Sequence, residues 1–180
     1  MTHTALSPEK HPEVLPSGLR ARLRASAPPP RMAMAGAALW TVAIAASAGY
    51  GLYVRGWQTA ETARIILGII VFGAALAFPI ALWGARFLAI GRPAPVAFVA
   101  FFISSVLITA GVTAVTYALY YRLYFVQWHD APFTKTWAIQ FFFTVAGALF
   151  QFAVLGLRLY LPFGLVVALM GSLWFARMSR

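Results

Sequence analysis

The chain has 180 residues, of which 62% are apolar, 16% aromatic and only 10% charged, with a net charge of +10. Soluble domains carry about 25% charged residues, and here only nine charged side chains lie between Met32 and Ala176. A water-soluble globular domain and a disordered chain are both excluded, because each needs polar surface to stay in water; an all-α, polytopic membrane bundle remains.

Residues 1–31 form a polar segment rich in Pro and Ser, with Arg20, Arg22, Arg24 and Arg31 ahead of the first apolar run. Such a composition cannot bury a core, so a disordered basic tail is expected. Pro28, Pro29 and Pro30 favour an extended backbone and stop any helix before them. The arginines read as a flank that holds the N-terminus in the cytoplasm; the alternative is a patch for lipid headgroups or a partner.

Residues 32–180 are expected to form the transmembrane bundle. The first span, 32–54, is 23 residues without a charge, about 34 Å of helix against a hydrocarbon core of about 30 Å. Ala46-Ser47-Ala48 fits a signal-peptide cleavage site, but the apolar run continues past it to Val54, which disfavours cleavage. Ala43, Ser47 and Gly51 make a row of small residues at helical spacing, the pattern that lets helices approach closely in lipid.

The second span is 65–85, with a similar ridge at Gly73, Ala77 and Ala81 and an internal Pro79 that membrane helices tolerate. The third, 96–121, is 26 residues long and should tilt. It ends in Tyr117, Tyr120, Tyr121 and Tyr124, with Trp128 and Trp137 across the next loop; these read as an interfacial aromatic belt. The fourth is 137–157 and the fifth 159–176. A single helix through both would be about 60 Å long, so a turn is required near Arg158–Pro162.

Five crossings are expected. The alternative is four crossings plus a re-entrant or interfacial C-terminal helix. Lys and Arg counting puts eight inside against six outside for five crossings, and ten against four for the alternative, so charge prefers four while length and hydropathy prefer five. Arg outnumbers Lys twelve to two and Ala is abundant, which points to a GC-rich bacterial gene. The expected location is therefore a bacterial inner membrane.

Several chemistries are disfavoured. The four acids, Glu9, Glu13, Glu61 and Asp130, all lie outside the spans, whereas cation-coupled transporters keep an ionisable group in the membrane. The three histidines, His3, His11 and His129, cannot form a bis-histidine haem site at bundle depth. His129 and Asp130 alone cannot hold zinc. The absence of cysteine removes disulfides and thiolate sites. No cofactor or metal is expected, no nucleic-acid motif is present, and no catalytic motif supports an enzyme. Trp128-His129-Asp130 is a weak candidate for an acid–base pair, since adjacent residues diverge unless a turn joins them.

The most informative pattern is polar. Gln140, Thr144, Gly147 and Gln151 share one face of the fourth span, and Arg158 projects onto the same line. Ser105, Thr109, Thr113, Thr116 and Tyr120 share a face of the third. Amides facing lipid would be unpaired, so a polar seam between the two spans is expected. It serves either as helix–helix hydrogen bonding or as a groove for a neutral solute or lipid headgroup. The expected role is a non-catalytic accessory subunit, assembly factor or scaffold in the bilayer, with a membrane-protein partner or self-association. The alternative is a small oligomeric transporter or channel that uses the seam.

Overall fold

The computed structural model describes residues 18–56 and 59–179, with the backbone alone for Arg55. Most of the expected tail, residues 1–17, lies outside the described residues. Among the described residues all regular structure is helical.

Helix α1 (Leu19–Ala25) falls inside the stretch expected to be disordered. It is clamped to the second long helix, α3 (Ala60–Ala89). The carbonyls of a helix's last turn have no partner within the helix, and here Trp83 Nε1–H donates to Leu23 O at 3.1 Å. Just beyond the helix, Arg86 Nε–H donates to Ser26 O at 3.1 Å. The Arg22 guanidinium covers the Phe87 ring at 5.5 Å. Polar composition predicted no core, and α1 does without one because α3 supplies the donors and an aromatic face.

Helix α2 (Pro30–Arg55) starts on Pro30, whose missing N–H costs nothing at a first helical position. It ends at Gly56, which takes the left-handed conformation at φ 59°. Helix α3 (Ala60–Ala89) is capped by Thr59, whose hydroxyl accepts from Thr62 N–H at 3.2 Å, and it continues through Pro79. Helix α4 (Ala94–Phe125) runs into a single 3-10 turn, Val126–Trp128. Helix α5 (Lys135–Gln151) is capped by Thr134, which accepts from Trp137 N–H at 3.1 Å. A π-turn (Phe152–Gly156) and a 3-10 turn (Leu157–Tyr160) then interrupt the chain before α6 (Phe163–Met178).

Four helical stretches are long and apolar enough to cross a membrane: Pro30–Val54, Ala60–Ala89, Ala94–Trp128 and Lys135–Tyr160; α6 is a shorter apolar helix. The molecule is a helical membrane bundle with five apolar segments. Its core gathers Trp40 and Ile44 of α2, Phe78 and Leu82 of α3, Phe101 of α4 and Phe175 of α6. The ridge on α3 sits where two helices approach most tightly: Gly73, Ala77 and Ala81 are buried, and a Cβ on Gly73 would meet Thr113 Cα at 2.9 Å. On α2, a Cβ on Gly51 would meet Leu159 Cδ2 at 3.2 Å, so that row faces the interrupted segment.

The last two apolar segments differ from an up-and-down pair. Along α4 from its C-terminus backwards, Arg122 meets Trp137 and Phe141. Tyr117 then meets Gln151 and Phe152, and Phe101 meets Gly171 and Phe175. Helices α5 and α6 therefore follow one another in the same direction and form one interrupted traverse beside α4. The turn required near Arg158–Pro162 is present, but π and 3-10 turns offset a helix axis without reversing it. Both described ends of the chain consequently lie at one end of the bundle. Arg20, Arg22, Arg24, Arg31, Arg86, Arg92 and Arg177 cluster there, and Arg64, Arg122 and Lys135 lie towards the other end.

Candidate functional site

The two polar rows expected to face each other are engaged separately. On α4, Ser105, Thr109 and Thr113 are buried. Ser105 Oγ donates to Phe102 O at 3.0 Å, Thr113 Oγ1 to Thr109 O at 2.8 Å and Thr116 Oγ1 to Val112 O at 2.9 Å. These are bonds within the helix's own turns. The exception is Thr109, whose hydroxyl accepts from Trp40 Nε1–H of α2 at 3.2 Å. Thr113 presses on Gly73 of α3. Ser105 and Thr109 are closed off within the bundle, whereas Thr113 and Tyr120 also stand on the wall of a cavity.

The row on α5 engages the far end of α4 and the loop after it. Arg122 Nη1 lies 2.8 Å from His129 Nδ1, and His129 Nε2 lies 3.0 Å from Thr144 Oγ1. A guanidinium can only donate, so Nδ1 accepts and the imidazole proton sits on Nε2. Thr144 then accepts from His129 and passes its own hydroxyl hydrogen to Gln140 O at 2.7 Å. The bonds run one way from Arg122 through His129 and Thr144 to a backbone carbonyl. Gln140 also accepts, through Oε1, the Asp130 N–H at 2.9 Å. Asp130 turns its carboxylate onto the Ala131 N–H at 2.8 Å. His129 and Asp130 thus serve different partners and do not form an acid–base pair. The Arg122 guanidinium packs 5.7 Å from the Trp137 ring centroid and 5.1 Å from that of Phe141, the face-on approach that favours a cation.

Gln151 pairs with neither Ser105 nor Thr116; its Oε1 accepts from Tyr117 Oη–H at 2.9 Å. Gly147 is exposed, with open space where a Cβ would go. Arg158 lies in the 3-10 turn, exposed. The π-turn before it rotates less per residue than the uniform α-helix a projection assumes, so Arg158 leaves the line of Gln140 and Gln151.

Because α5 packs along α4 and not along α2 or α3, a gap remains at the end of the bundle where α3 begins and α4 finishes. It is a cavity of about 610 Å³, within the range of about 300–1,000 Å³ typical of small-molecule sites. Its walls are the first turns of α3, the last turns of α4 and the interrupted segment after α5. Glu61 stands among the lining residues. Tyr117, Tyr121 and Phe125 form a ladder on one face of α4, with ring centroids 5.9 Å and 4.6 Å apart. The i, i+4, i+8 spacing of that ladder is visible in the sequence, where Tyr117 and Tyr121 read as part of an interfacial belt and Phe125 is not included. The structural role of Arg122 had no sequence signal beyond its charge. The role of Trp40 had one: an indole mid-span needs a buried acceptor.

Among the described residues, no group of three or more His, Asp or Glu side chains converges to hold a metal ion. No protein family, curated protein or solved structure matches this chain.

Proposed function

We propose that this chain is a non-catalytic subunit or scaffold of a membrane complex, resident in a bacterial inner membrane with both ends of the chain in the cytoplasm. The observation that carries the proposal is the one-sided attachment of α5. Helix α3 buries eight residues, whereas Lys135–Gln151 buries only Ala148. The outward face of α5 displays Phe142, Phe143 and Phe150 beside the exposed Ala146 and Gly147. Large aromatic side chains anchor interfaces, and small residues admit a second helix backbone in lipid. Ser105 and Thr109, buried and bonded to groups of the bundle itself, weigh against a solute pathway along the whole seam.

A photo-crosslinking residue placed at Phe142 or Phe150 tests the assignment. The expected product is a crosslink to one membrane protein, or to a second copy of the chain, with no product from the exposed control position Leu107 on α4. Lipid adducts alone at all three positions would refute it. For orientation, the basic end holds seven of the described Lys and Arg residues, and such residues favour the cytoplasmic side. Reporter fusions at Pro132 and after Arg180 should read external and cytoplasmic; the reverse at Pro132 would overturn the orientation.

A further inference from the structure

The cavity between α3, α4 and the interrupted segment has a consistent chemistry, independent of the scaffold proposal. Ile65, Ile66, Ile69 and Ile70 of α3 and Leu155 and Leu159 after α5 make its apolar walls. Tyr117, Tyr120, Tyr121, Tyr124 and Phe125 make its aromatic wall. Among the described residues, its one charged lining side chain is the carboxylate of Glu61, and no lysine or arginine lines it. The arginines that do cover rings lie elsewhere, Arg22 on Phe87 and Arg122 on Trp137 and Phe141, so the cavity's π faces carry no cation from the described chain.

Among the described residues, an anionic headgroup would meet Glu61 with no positive partner. An uncharged chain would use the isoleucines but neither the carboxylate nor the ring faces. A cation with an apolar body uses all three: rings attract it through their quadrupoles, the carboxylate neutralises it, and the aliphatic walls cover its apolar part. We propose that this cavity binds a lipophilic cation, a quaternary ammonium or phosphonium centre on an apolar body. Its position at the bundle end, among tyrosines of the kind that sit at headgroup depth, allows two sources: the choline headgroup of a membrane lipid, or a free cationic amphiphile.

The test uses the full chain in nanodiscs of phosphatidylethanolamine, with labelled tetraphenylphosphonium as probe and empty discs as the blank. Expected are saturable binding of one probe per chain and displacement by dodecyltrimethylammonium but not by dodecanol at equal concentration. Tyr121→Leu should weaken binding about 3- to 30-fold, the range for one lost ring face, while Tyr121→Phe should keep it within about twofold. Glu61→Gln should weaken binding about tenfold and flatten its salt dependence. Glu61 is exposed in a first helical turn, so that variant remains readable if Tyr121→Leu fails to fold. Phosphatidylcholine in the discs displaces the probe if the ligand is the lipid headgroup and leaves it in place if the ligand is a free cation; either result supports the site. Binding equal to that of empty discs, equal displacement by dodecanol, or unchanged affinity in both Tyr121→Leu and Glu61→Gln would overturn it.

Discussion

Substituting Gly73 by Ala adds one methyl group where α3 and α4 approach most closely. The new Cβ would lie 2.5 Å from Thr113 Oγ1, 2.9 Å from Thr113 Cα and 3.0 Å from Thr113 Cβ. Thr113 Oγ1 cannot swing away without breaking its bond to Thr109 O, and Thr109 in turn holds Trp40. The Thr113 Cα belongs to the backbone, so no rotamer change moves it and the helices must separate. Overpacking of a well-packed site costs about 1–3 kcal/mol, lowering the folded-to-unfolded ratio about 5- to 150-fold. For a chain of this size the melting temperature should fall by about 3–10 °C. Thermal unfolding in mild detergent, followed by the monodisperse fraction after heating, measures it. Gly111→Ala on α4 is the control: nothing lies within 4 Å of its added Cβ, so it should be neutral or gain up to about 1 kcal/mol of helix propensity. Adding Thr113→Ala to Gly73→Ala should rescue only part of the loss, since the clash with the α4 backbone survives. Equal stability of Gly73→Ala and the parent, or equal damage from Gly111→Ala, would refute this account of the α3–α4 packing.

Trp40→Phe removes the donor to Thr109 while keeping an aromatic ring, and should cost about 0.6 kcal/mol, with about 1.7 as the ceiling for such interhelical bonds, measured by the same melt. Arg122→Lys keeps the charge but loses the planar fork that binds His129 and packs on Trp137 and Phe141; it should destabilise the α4–α5 connection by about 1 kcal/mol and speed proteolysis within residues 126–134. Gln140→Leu removes the acceptor of the Asp130 N–H and should loosen the same loop in hydrogen exchange, leaving Gly73-dependent stability unchanged. Trp83→Phe frees Leu23 O and should expose residues 19–28 to protease without changing the bundle melt.

Much of the fold was legible because the cost of burying charge in lipid is written directly into uncharged runs. Spans expected at 32–54, 65–85 and 96–121 appear as Pro30–Arg55, Ala60–Ala89 and Ala94–Phe125. Their ends extend beyond the apolar runs because caps such as Thr59 and flanking charges such as Arg86 continue a helix into the interface. The break after α5 was legible from Arg158 and Pro162, but the π-turn at Phe152–Gly156 carries no such mark, and it moves Arg158 off the projected seam. A helical projection ranks residues by face and says nothing of which neighbour that face meets. Ser105, Thr109 and Thr113 do share a face, and it belongs to α2 and α3 rather than to α5. The cavity was out of reach for the same reason: it exists because α5 stays on α4 and does not close onto α3.

The pairs that tie α2, α3 and α4 together, Trp40 to Thr109, Gly73 to Thr113 and Gly84 beside Ser104 and Ile108, all lie within the first 128 residues. They can form while the remainder of the chain is still being synthesised. Residues 135–178 then follow, as a strap laid onto a core already in place. Its first half finds α4 alone, and its second half finds α4 together with α2. Assembly in this order leaves the outer face of α5 the least committed surface of the strap, so any partner that docks there joins a core already built.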